Sequence, residues 1–475
     1  MADQREYDVI VIGAGSTGEN IVGRAVKGGL SAVVVEEALV GGDCSYWACM
    51  PSKALLRPMH ALATARRVAG AREALHAEPR LDVGAVLSRR DAFTSEWHDD
   101  GQVAWLDGAH IDLIRGHGRL AGERRVEVAT TDGTVALTAR HAVALATGSE
   151  PALPPVPGLA EARPWTTKDA TSAKAVPARL VVLGGGVAGC ELAQAFASLG
   201  SQVTVIEMTG QLLPKYEPVA GQLLDDAMTS QGIGVRTGAT ATQVVRAGDG
   251  PATVHLADGT VAEGDELLVA AGRKPRTGDL GLDAVGLRPG GWLDVDDTMA
   301  VRGIGGWLYA AGDLNHRALL THQGKYQARV CGDAIADRAA RRPDPVPWSR
   351  HAATADHAAV PQVVFTDPEV AAVGRTEAQA RDAGLRVRAV DYPLGNVAGA
   401  ALYADEYTGH ARLVVDEDRR VIVGATFVGP AAGELLHAAT IAIVGEVPLD
   451  RLWHAVPSYP TISEVWLRLL ETYGL

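Results

Sequence analysis

The sequence predicts an α/β chain that contains two Rossmann-like domains, and three observations support this prediction. A glycine-rich pattern between an apolar strand and a helix-like segment occurs twice, at 13 to 18 and at 184 to 189. Each copy ends in a second apolar strand and a glutamate, and the first glycine and the glutamate are 23 residues apart in both copies. A chain of 475 residues is also too long for one hydrophobic core, so we expect several domains.

The first copy reads YDVIVIGAGSTGENIVGRAVKGGLSAVVVEE, and each of its glycines has a task. Gly13 permits a tight turn, Gly15 lets the backbone approach a pyrophosphate, and Gly18 lets the helix pack closely on the strand. A pyrophosphate then lies at the positive end of the helix, and Glu36 accepts hydrogen bonds from ribose hydroxyls. Because the glycines lie between a strand and a helix, with the acid at the expected distance, we favour a dinucleotide site over a flexible turn.

The second copy, RLVVLGGGVAGCELAQAFASLGSQVTVIE, repeats the pattern with Gly184, Gly186, Gly189 and Glu207. Two copies in one chain predict that it binds two dinucleotides. An acid at the end of the unit favours a free 2′-hydroxyl, and no arginine follows in MTGQLLPKYEP to bind a 2′-phosphate, so NADH is preferred to NADPH. Lys215 in that stretch could weaken the preference.

Composition and charge restrict the partners of the chain. The formal net charge of -13 argues against nucleic acids and anionic membranes, because both would repel the protein. We find no secretory pattern at the N-terminus and no run of about 18 uncharged apolar residues, so we expect a cytoplasmic protein without a membrane partner.

Two of the four cysteines lie close together in GGDCSYWACMPSK, as Cys44 and Cys49. In a cytoplasmic protein such a pair is more often catalytic, redox-sensing or metal-binding than a structural disulfide. A helix that begins near this segment would place both sulfurs at its positive end, and Lys53 adds a second positive group that stabilises a thiolate. We expect no metal, because zinc needs four ligands and no second cluster accompanies the pair. Cys190 and Cys331 are expected to be small buried residues.

With these motifs the sequence resembles the flavoprotein disulfide reductases, which include dihydrolipoamide dehydrogenase, glutathione reductase, mycothione reductase and mercuric reductase. The resemblance covers nearly the whole chain. Besides both glycine motifs and the Cys-x4-Cys pair with PSK, it includes ALATGSEPALPPVPG at 144 to 158, VAAGRKPRT at 269 to 277, LYAAGDLNHRALLTHQG at 308 to 324 and VVFTDPEVAAVGRTEAQA at 363 to 380.

The resemblance implies roles for individual residues. The FAD-binding residues would be Gly13, Gly15, Gly18, Glu36, Thr147, Gly148, Gly312 and Asp313, and the second glycine motif would bind the pyridine nucleotide. Cys49 would be the thiolate beside the flavin, and Cys44 the thiol that attacks a disulfide substrate. Lys53 would pair with Glu191 beside flavin N5, where hydride arrives.

The family also implies a domain order. We expect an FAD-binding domain in two parts, 1–150 and 278–345, around an NAD(P)-binding domain at 151–277. A C-terminal α+β dimerisation domain at 346–475 would make a homodimer.

The C-terminal stretch departs from the family signature His-Pro-Thr-x-x-Glu. Here YPTISE keeps Pro460, Thr461 and Glu464 but has Tyr459 in place of the histidine. A tyrosine with a pKa near 10 does not take up a proton at neutral pH as a histidine near 6.5 does. Three explanations stay open: His454 is a displaced base, the acceptor is not a disulfide that needs proton transfer, or Tyr459 donates a hydrogen bond to a quinone-like or other electrophilic acceptor.

Aromatic residues between the two cysteines are a second departure. Tyr46 and Trp47 either pack in the core or line an aromatic substrate pocket together with Tyr459.

The sequence therefore predicts an FAD-dependent oxidoreductase that passes electrons from NADH through flavin and the Cys44–Cys49 pair to a small or protein disulfide, with Tyr459 and Glu464 as further catalytic candidates. The alternative is a quinone or diaphorase-type reductase, or a reductase of another small electrophile. A non-catalytic redox sensor is a third, less favoured hypothesis, because a complete hydride path would have no use in it.

Overall fold

The computed structural model describes residues 3–75 and 80–475. Its strands, in chain order, are β1 (Asp3–Ile12), β2 (Ala32–Glu36), β3 (Asp112–Arg115), β4 (His117–Gly122), β5 (Arg125–Thr130), β6 (Gly133–Leu145), β7 (Ser149–Pro151), β8 (Arg179–Leu183), β9 (Gln202–Ile206), β10 (Gly234–Arg236), β11 (Ala241–Arg246), β12 (Ala252–Leu256), β13 (Val261–Gly264), β14 (Glu266–Val269), β15 (Arg273–Pro275), β16 (Leu308–Ala310), β17 (Pro361–Val364), β18 (Glu369–Gly374), β19 (Val387–Pro393), β20 (His410–Asp416) and β21 (Val421–Gly429).

The α-helices are α1 (Ser16–Lys27), α2 (Gly42–Tyr46), α3 (Cys49–Arg66), α4 (Ala71–Ala74), α5 (Val83–Phe93), α6 (Asp100–Gly108), α7 (Thr167–Ser172), α8 (Val187–Ser198), α9 (Pro218–Ser230), α10 (Thr321–Ala339), α11 (Glu377–Asp382), α12 (Ala398–Tyr403), α13 (Leu436–Val444), α14 (Leu449–Leu452) and α15 (Val465–Tyr473). Short 3-10 helices lie at Ser95–Trp97, Leu282–Val285, Gly312–Asn315, Thr354–His357, Leu394–Asn396, Ala432–Leu435 and Ile462–Glu464.

The chain divides into two compact units. The first consists of Met1–Pro51, Asp91–Pro151 and Arg273–His357. The second consists of Ser52–Arg90, Ala152–Gly272 and Ala358–Leu475. The domain boundaries at 150, 277 and 345 stay predictions.

The first unit contains a seven-stranded sheet in the order β3-β2-β1-β6-β5-β4, with β16 paired to β6. The strands β3, β2, β1 and β6 run parallel, as does β16 on β6, and β5 and β4 continue antiparallel. The run DVIVI becomes the central strand because Val9, Ile10 and Val11 are fully buried, as expected for a strand that is covered on both faces. Their neighbours on α1, β2 and β6 complete one hydrophobic core.

The second unit contains three separate sheets. A parallel sheet in the order β10-β9-β8-β14 packs against α8 and α9, and the antiparallel sheet β11-β12-β13 lies beside it. An antiparallel sheet in the order β17-β18-β21-β20-β19 forms a core with α13 and α15. The predicted fold class, two Rossmann-like domains with a C-terminal α+β domain, is confirmed.

Two further findings concern predictions from the sequence. Cys190 and Cys331 are fully buried, as expected. In the described ranges, none of the helices has both the length and the apolar character that a membrane span requires.

Candidate active site

The first glycine loop joins β1 to α1 and leaves no room for side chains at two of its three glycines. Gly13 has φ +98°, and a Cβ there would lie 2.6 Å from the carbonyl oxygen of Ala146. A Cβ on Gly18 would lie only 1.8 Å from the carbonyl oxygen of Gly13. Gly15 is different, because its nearest neighbour would be the Cα of Gly42 at 3.9 Å. Gly18, the third glycine, thus lets the helix pack closely on the loop, and Gly15, the middle glycine, leaves space for a ligand.

The helix start at Gly15 fits a phosphate group. Gly15 is the N-cap of the 12-residue helix α1. Among the described residues, no side chain caps the start of this helix. The first N–H groups of such a helix have no partner in the helix and attract anions. Glu36, at the end of β2, accepts hydrogen bonds from the backbone N–H groups of Ala14 at 2.6 Å and Ala38 at 2.8 Å. Burial raises the pKa of Glu36.

The second glycine loop, between β8 and α8, repeats this construction. Gly184 has φ +113°, and its Cβ would lie 2.5 Å from the carbonyl oxygen of Ala270. A Cβ on Gly189 would lie 1.9 Å from the carbonyl oxygen of Gly184, whereas Gly186 has open space around it. Gly186 is likewise an N-cap without a side-chain cap in the part of the chain that the structure describes. Both loops therefore fit a dinucleotide pyrophosphate.

Glu207 occupies the place in the second loop that Glu36 has in the first. Its Oε2 accepts from the backbone N–H of Gly185 at 2.7 Å, and its Oε1 accepts from the N–H of Thr209 at 2.7 Å. The side chain is buried, with 6% of its surface exposed. Two bonds to the backbone hold the carboxylate at the loop, where it can accept from a ribose hydroxyl.

The cysteine pair lies at the junction of two helices in the first unit. Cys44 is in α2, and Cys49 is the first residue of the 18-residue helix α3. The Sγ of Cys49 lies 3.2 Å from the Oγ1 of Thr321, and either atom can be the donor. The hydrogen bond with Cys49, followed by burial, raises the pKa of the Cys44 thiol well above its usual range. This difference and the position of Cys49 at a positive helix end fit the role of thiolate that is predicted for Cys49, which stays a prediction.

The aromatic residues between the cysteines have different environments. Tyr46 is 1% exposed, and its hydroxyl donates to the carbonyl oxygens of Val40 at 3.1 Å and His98 at 3.4 Å. Burial raises the pKa of Tyr46 to about 12. The prediction that Tyr46 lines a substrate pocket is therefore wrong, because its ring fills the core and its hydroxyl is used inside the protein. Trp47 contacts the Tyr46 ring, with the two centroids 5.6 Å apart.

The predicted FAD contacts after β6 are held by a neighbouring segment. Thr147 Oγ1 donates to the carbonyl oxygen of Arg276 at 2.9 Å, and the N–H of Arg276 donates to the carbonyl oxygen of Gly148 at 3.1 Å. Gly148 has φ +70°, a conformation that favours glycine.

Gly312 and Asp313 lie after β16, in the same unit. Gly312 has φ +78°, and its Cβ would meet the side chain of Thr17 at 2.8 Å. Asp313 accepts a short hydrogen bond from the Ser149 hydroxyl, which in turn accepts from Arg273 Nε at 2.6 Å. Burial raises the pKa of Asp313.

Lys53 and Glu191 form an ion pair within the second unit. Lys53 Nζ lies 2.6 Å from Glu191 Oε2, and the Glu191 side chain is almost fully buried. The other carboxylate oxygen of Glu191 accepts from the backbone N–H of Phe365 at 2.9 Å. The ammonium group of Lys53 lies over the Phe365 ring, 5.0 Å from its centroid. One residue of the C-terminal segment thus contacts both members of the pair.

The two C-terminal candidate residues differ in how far their side chains are exposed to solvent. Tyr459 is 77% exposed, whereas Glu464 is buried. Glu464 Oε1 accepts from Arg468 at 2.6 Å, and within the described residues its buried Oε2 has no hydrogen-bond partner. His454 is exposed as well. The structure thus forms no hydrogen bond between Tyr459 and Glu464 in the ranges that it describes.

Comparisons with known proteins agree with this geometry. Residues 7–330 match the family model described as pyridine nucleotide-disulphide oxidoreductase. The chain belongs to this family. Residues 360–469 match the model for the dimerisation domain of the same family. Pyridine nucleotide-disulphide oxidoreductases bind FAD and a pyridine nucleotide, so the predicted family, enzyme class and flavoprotein nature of the chain are confirmed.

The chain is similar over nearly its whole length to family members of more than one activity. It is 34% identical over 477 residues to the dihydrolipoyl dehydrogenase of Thermus scotoductus. The aligned residues cover 98% of this chain and 97% of that one. It is 30% identical over 463 residues to the mercuric reductase of Staphylococcus aureus. The aligned residues cover 97% of this chain and 81% of that one.

Among solved structures, LpdA from Mycobacterium tuberculosis superposes with a TM-score of 0.82 at 25% identity, covering 99% of this chain and 100% of that one. The HOCl-induced flavoprotein disulfide reductase RclA from Escherichia coli has a TM-score of 0.81 at 22% identity, with 98% and 99% covered, and shows the shared fold.

Three site residues were not singled out from the sequence. Thr321 contacts Cys49, Phe365 contacts Glu191, and Arg273 bonds to Ser149 beside Asp313. All three lie inside quoted family motifs, which is the only signal that could have pointed to them. Across the described ranges no cluster of three or more potential metal ligands occurs.

Proposed function

We propose that this pyridine nucleotide-disulphide oxidoreductase reduces a disulfide with electrons from NADH, through FAD and the Cys44–Cys49 pair. The observation that carries the proposal is the unequal environment of the two thiols. Cys49 begins a long helix and contacts Thr321, whereas contact with Cys49 and burial raise the pKa of Cys44. An attacking thiol and a stabilised thiolate next to each other suit a dithiol–disulfide cycle.

The two sulfurs can exchange a proton without a histidine. When a disulfide RSSR approaches, Cys44 passes its proton to Cys49 and attacks one sulfur of the substrate, which breaks the S–S bond and releases RS⁻. RS⁻ takes the proton of Cys49, and the Cys49 thiolate then attacks Cys44 Sγ, releasing the second RS⁻ and closing the Cys44–Cys49 disulfide. The second RS⁻ takes a proton from solvent. The sum is RSSR + NADH + H⁺ → 2 RSH + NAD⁺.

The Lys53–Glu191 pair serves the other half of the reaction. When bound, FAD supplies the two-electron transfer between a pyridine nucleotide and a disulfide. Glu191 is fixed by the Phe365 N–H and holds the Lys53 ammonium, which gives the pair one orientation. A fixed positive charge next to the flavin ring would favour the arrival of hydride there.

NADH is the proposed electron donor. Glu207 is held by two backbone N–H groups and can accept from a 2′-hydroxyl, but it would repel a 2′-phosphate. Met208, Thr209 and Gly210, which follow it, carry no positive charge.

We also propose that the protein is a cytoplasmic homodimer. Five large apolar side chains are exposed within the region that matches the dimerisation domain: Leu402, Ile441, Trp453, Val456 and Tyr459. Burial of exposed apolar side chains against a second copy of the chain would favour a dimer. Tyr459 would then lie at the interface, where its hydroxyl can donate to an acceptor, and Glu464 would anchor the start of α15.

The second candidate function is reduction of a quinone or another small electrophile. Tyr459 favours it, because a tyrosine can donate a hydrogen bond but cannot act as a base at neutral pH. In that reaction the cysteines would not take part.

An anaerobic NADH titration of the purified holoenzyme, with Cys44→Ser as the variant, separates the two functions. We expect wild-type enzyme to take up about four electrons per FAD and to show long-wavelength absorbance from a thiolate beside the flavin. In Cys44→Ser, disulfide reduction should stop. Uptake of only two electrons by wild type, with quinone turnover unchanged in the variant, would favour the second function.

A further inference from the structure

A buried carboxylate in the first unit has no part in the site described above. Asp356, in the 3-10 helix Thr354–His357, has 0% of its side chain exposed. Its Oδ1 accepts a hydrogen bond from Gln323 Nε2, and its Oδ2 accepts one from Gln327 Nε2, both at 2.8 Å. Burial of a carboxylate is unfavourable unless donors surround it, and here both oxygens are satisfied by side chains of one helix.

The two glutamines lie one turn apart near the start of α10, so they are on the same face of this helix. Gln323 is 5% exposed and Gln327 is fully buried. Gly324, between them, lets the helix approach α1 closely, because a Cβ there would lie 2.5 Å from Oγ1 of Thr17. Asp356 therefore bonds the first two turns of α10 where this helix packs against α1.

Gln327 also bonds the segment that is predicted to bind FAD. Its Oε1 accepts from the backbone N–H of Gly312 at 2.9 Å and from Asn315 Nδ2 at 2.8 Å. Because the N–H of Gly312 can only donate, the oxygen of the Gln327 amide must face it, and the NH2 group must then face Asp356. Asp356 supplies the acceptor that this orientation requires.

Arg317 completes a ring of contacts with these residues. Its backbone N–H donates to Asn315 Oδ1 at 3.0 Å, and its Nη1 lies 3.7 Å from Asp356 Oδ2. A positive charge at this distance offsets part of the cost of burying the carboxylate. Burial raises the pKa of Asp356, and the bonds from the two glutamines and the charge of Arg317 oppose that shift.

The segment that carries Asp356 is itself held on both sides of this residue. The backbone N–H of Ala353 donates to the carbonyl oxygen of Asp297 at 2.8 Å, and His357 Nε2 lies 2.8 Å from Asp297 Oδ1. Arg317 Nη1 donates to the same Oδ1 at 3.0 Å. Asp356 is therefore a fixed point to which α10 is bonded.

The start of α10 also contacts the cysteine pair. Thr321 is the first residue of this helix, two positions before Gln323, and its Oγ1 lies 3.2 Å from Cys49 Sγ. Hydrogen bonds weaken steeply as their distance and angle depart from the optimum. A shift of the first turn of α10 would therefore weaken the contact of Thr321 with the sulfur.

We infer that Asp356 is a positioning residue, which fixes the first two turns of α10 and thereby keeps the Thr321 hydroxyl at Cys49 and the Gln327 oxygen at Gly312. In the described ranges Asp356 bonds to neither Cys49 nor Gly312, so it acts through the two glutamines. The part that concerns Cys49 rests on the proposed function, in which this sulfur carries the thiolate. The part that concerns Gly312 does not.

Asp356→Leu keeps the size of the side chain and removes both acceptors. We expect the pKa of Cys49, read from the long-wavelength absorbance of the two-electron-reduced holoenzyme, to rise by about half to one unit. Release of FAD from the diluted holoenzyme, followed by the fluorescence of free flavin, should increase about three- to tenfold. Asp356→Asn should stay within about twofold in both measurements, because its oxygen can accept from Gln327 and its NH2 group can donate to a reoriented Gln323 amide.

Asp333→Leu is the matched control on the same helix. Asp333 accepts two hydrogen bonds from Arg24, and it lies about 18 Å along α10 from Thr321. The control variant should lower the thermal midpoint but leave the pKa of Cys49 and the release of FAD as in wild type. If Asp356→Leu does not fold, Gln323→Met and Gln327→Met remove its two bonds one at a time, and we expect the first to raise the pKa and the second to increase the release of FAD.

A double-mutant cycle tests whether Asp356 acts through Thr321. In a Thr321→Val background, Asp356→Leu should raise the pKa of Cys49 by less than about 0.3 unit, because the contact that it weakens is already absent. A full additional shift would overturn the inference, and so would equal effects of Asp356→Leu and Asp333→Leu, which would mean a general loss of packing.

The measurements keep the two proposals apart. If the reduced wild-type enzyme shows no thiolate absorbance, the proposed disulfide reduction fails, and the release of FAD alone decides the inference. Wild-type release of FAD from both Asp356→Leu and Gln327→Met would then overturn it.

Discussion

The backbone N–H of Phe365 donates to Oε1 of Glu191 at 2.9 Å, across 174 positions of the chain. The aromatic ring of the same residue lies under the Lys53 ammonium. Phe365 thus restrains the carboxylate through its backbone and the ammonium through its side chain. An aliphatic residue at this position would keep the backbone bond to Glu191 and lose the contact of the ring with the Lys53 ammonium.

Replacing Phe365 by Leu should slow the transfer of hydride from NADH to the flavin. The cation–π contact is worth about 0.5–2 kcal/mol, and about 1.4 kcal/mol corresponds to a tenfold change in rate, so we expect a decrease of about two- to thirtyfold. Stopped-flow measurement of flavin bleaching gives the rate. Phe365→Tyr keeps the ring and should stay within about twofold of wild type. Equal losses in both variants would mean that the ring has only a packing role.

Thr321→Val should raise the pKa of the Cys49 thiolate. Loss of a hydrogen bond to a charged sulfur costs about 1.5 kcal/mol, which is about one pKa unit. The pKa can be read from the pH dependence of the long-wavelength absorbance in the two-electron-reduced enzyme. Thr321→Ser keeps the hydroxyl and should titrate like wild type. An unchanged pKa in the Val variant would show that the 3.2 Å contact is not a hydrogen bond from Thr321 to the Cys49 thiolate.

Glu19 should make the protein less stable as the pH rises. Burial raises the pKa of Glu19 to about 7 in the folded protein, with smaller effects of Lys325 and Glu36, whereas the unfolded chain ionises near 4.5. The proton is therefore bound more tightly in the fold, and stability is lost between pH 4.5 and 7. Discounted for partial exposure, the loss is about 1–2 kcal/mol at pH 8. Glu19→Gln should raise the thermal midpoint of the holoenzyme by about 2 °C at pH 8 and leave it unchanged at pH 5. A midpoint shift of the same size at both pH values would contradict this.

Glu207→Gln should weaken the binding of NADH more than it slows turnover. The amide still accepts from one backbone N–H but loses the charge that holds a ribose hydroxyl, so we expect KM for NADH to rise about tenfold and kcat to fall less than twofold. The preference for NADH over NADPH should shrink as well, because repulsion of a 2′-phosphate disappears. Steady-state kinetics with both nucleotides measure this, with Glu263→Gln on exposed β13 as the control. A fall in kcat as large as the rise in KM would place Glu207 in a different role.

The parts of the site that depend on local sequence were predictable. The tight turn at Gly13, the close packing at Gly18 and the position of Glu36 follow from their spacing between a strand and a helix. The contact of Thr321 with Cys49 did not follow, because the two residues are 272 positions apart and a hydroxyl has no local signature. Tyr46 was interpreted in part as a pocket residue because the direction of an aromatic side chain depends on its neighbours, here the carbonyl groups of Val40 and His98.

The paired glutamates at the two glycine loops have a consequence for how the nucleotides bind. Each carboxylate already bonds the backbone of its own loop: Glu36 bonds Ala14, and Glu207 bonds Gly185. The loop therefore reaches its binding conformation during folding, and little conformational entropy is left to be lost when a nucleotide arrives. Both sites are preorganised by the same device, so the pyridine nucleotide can leave and return in each catalytic cycle while the loop that receives it keeps its shape.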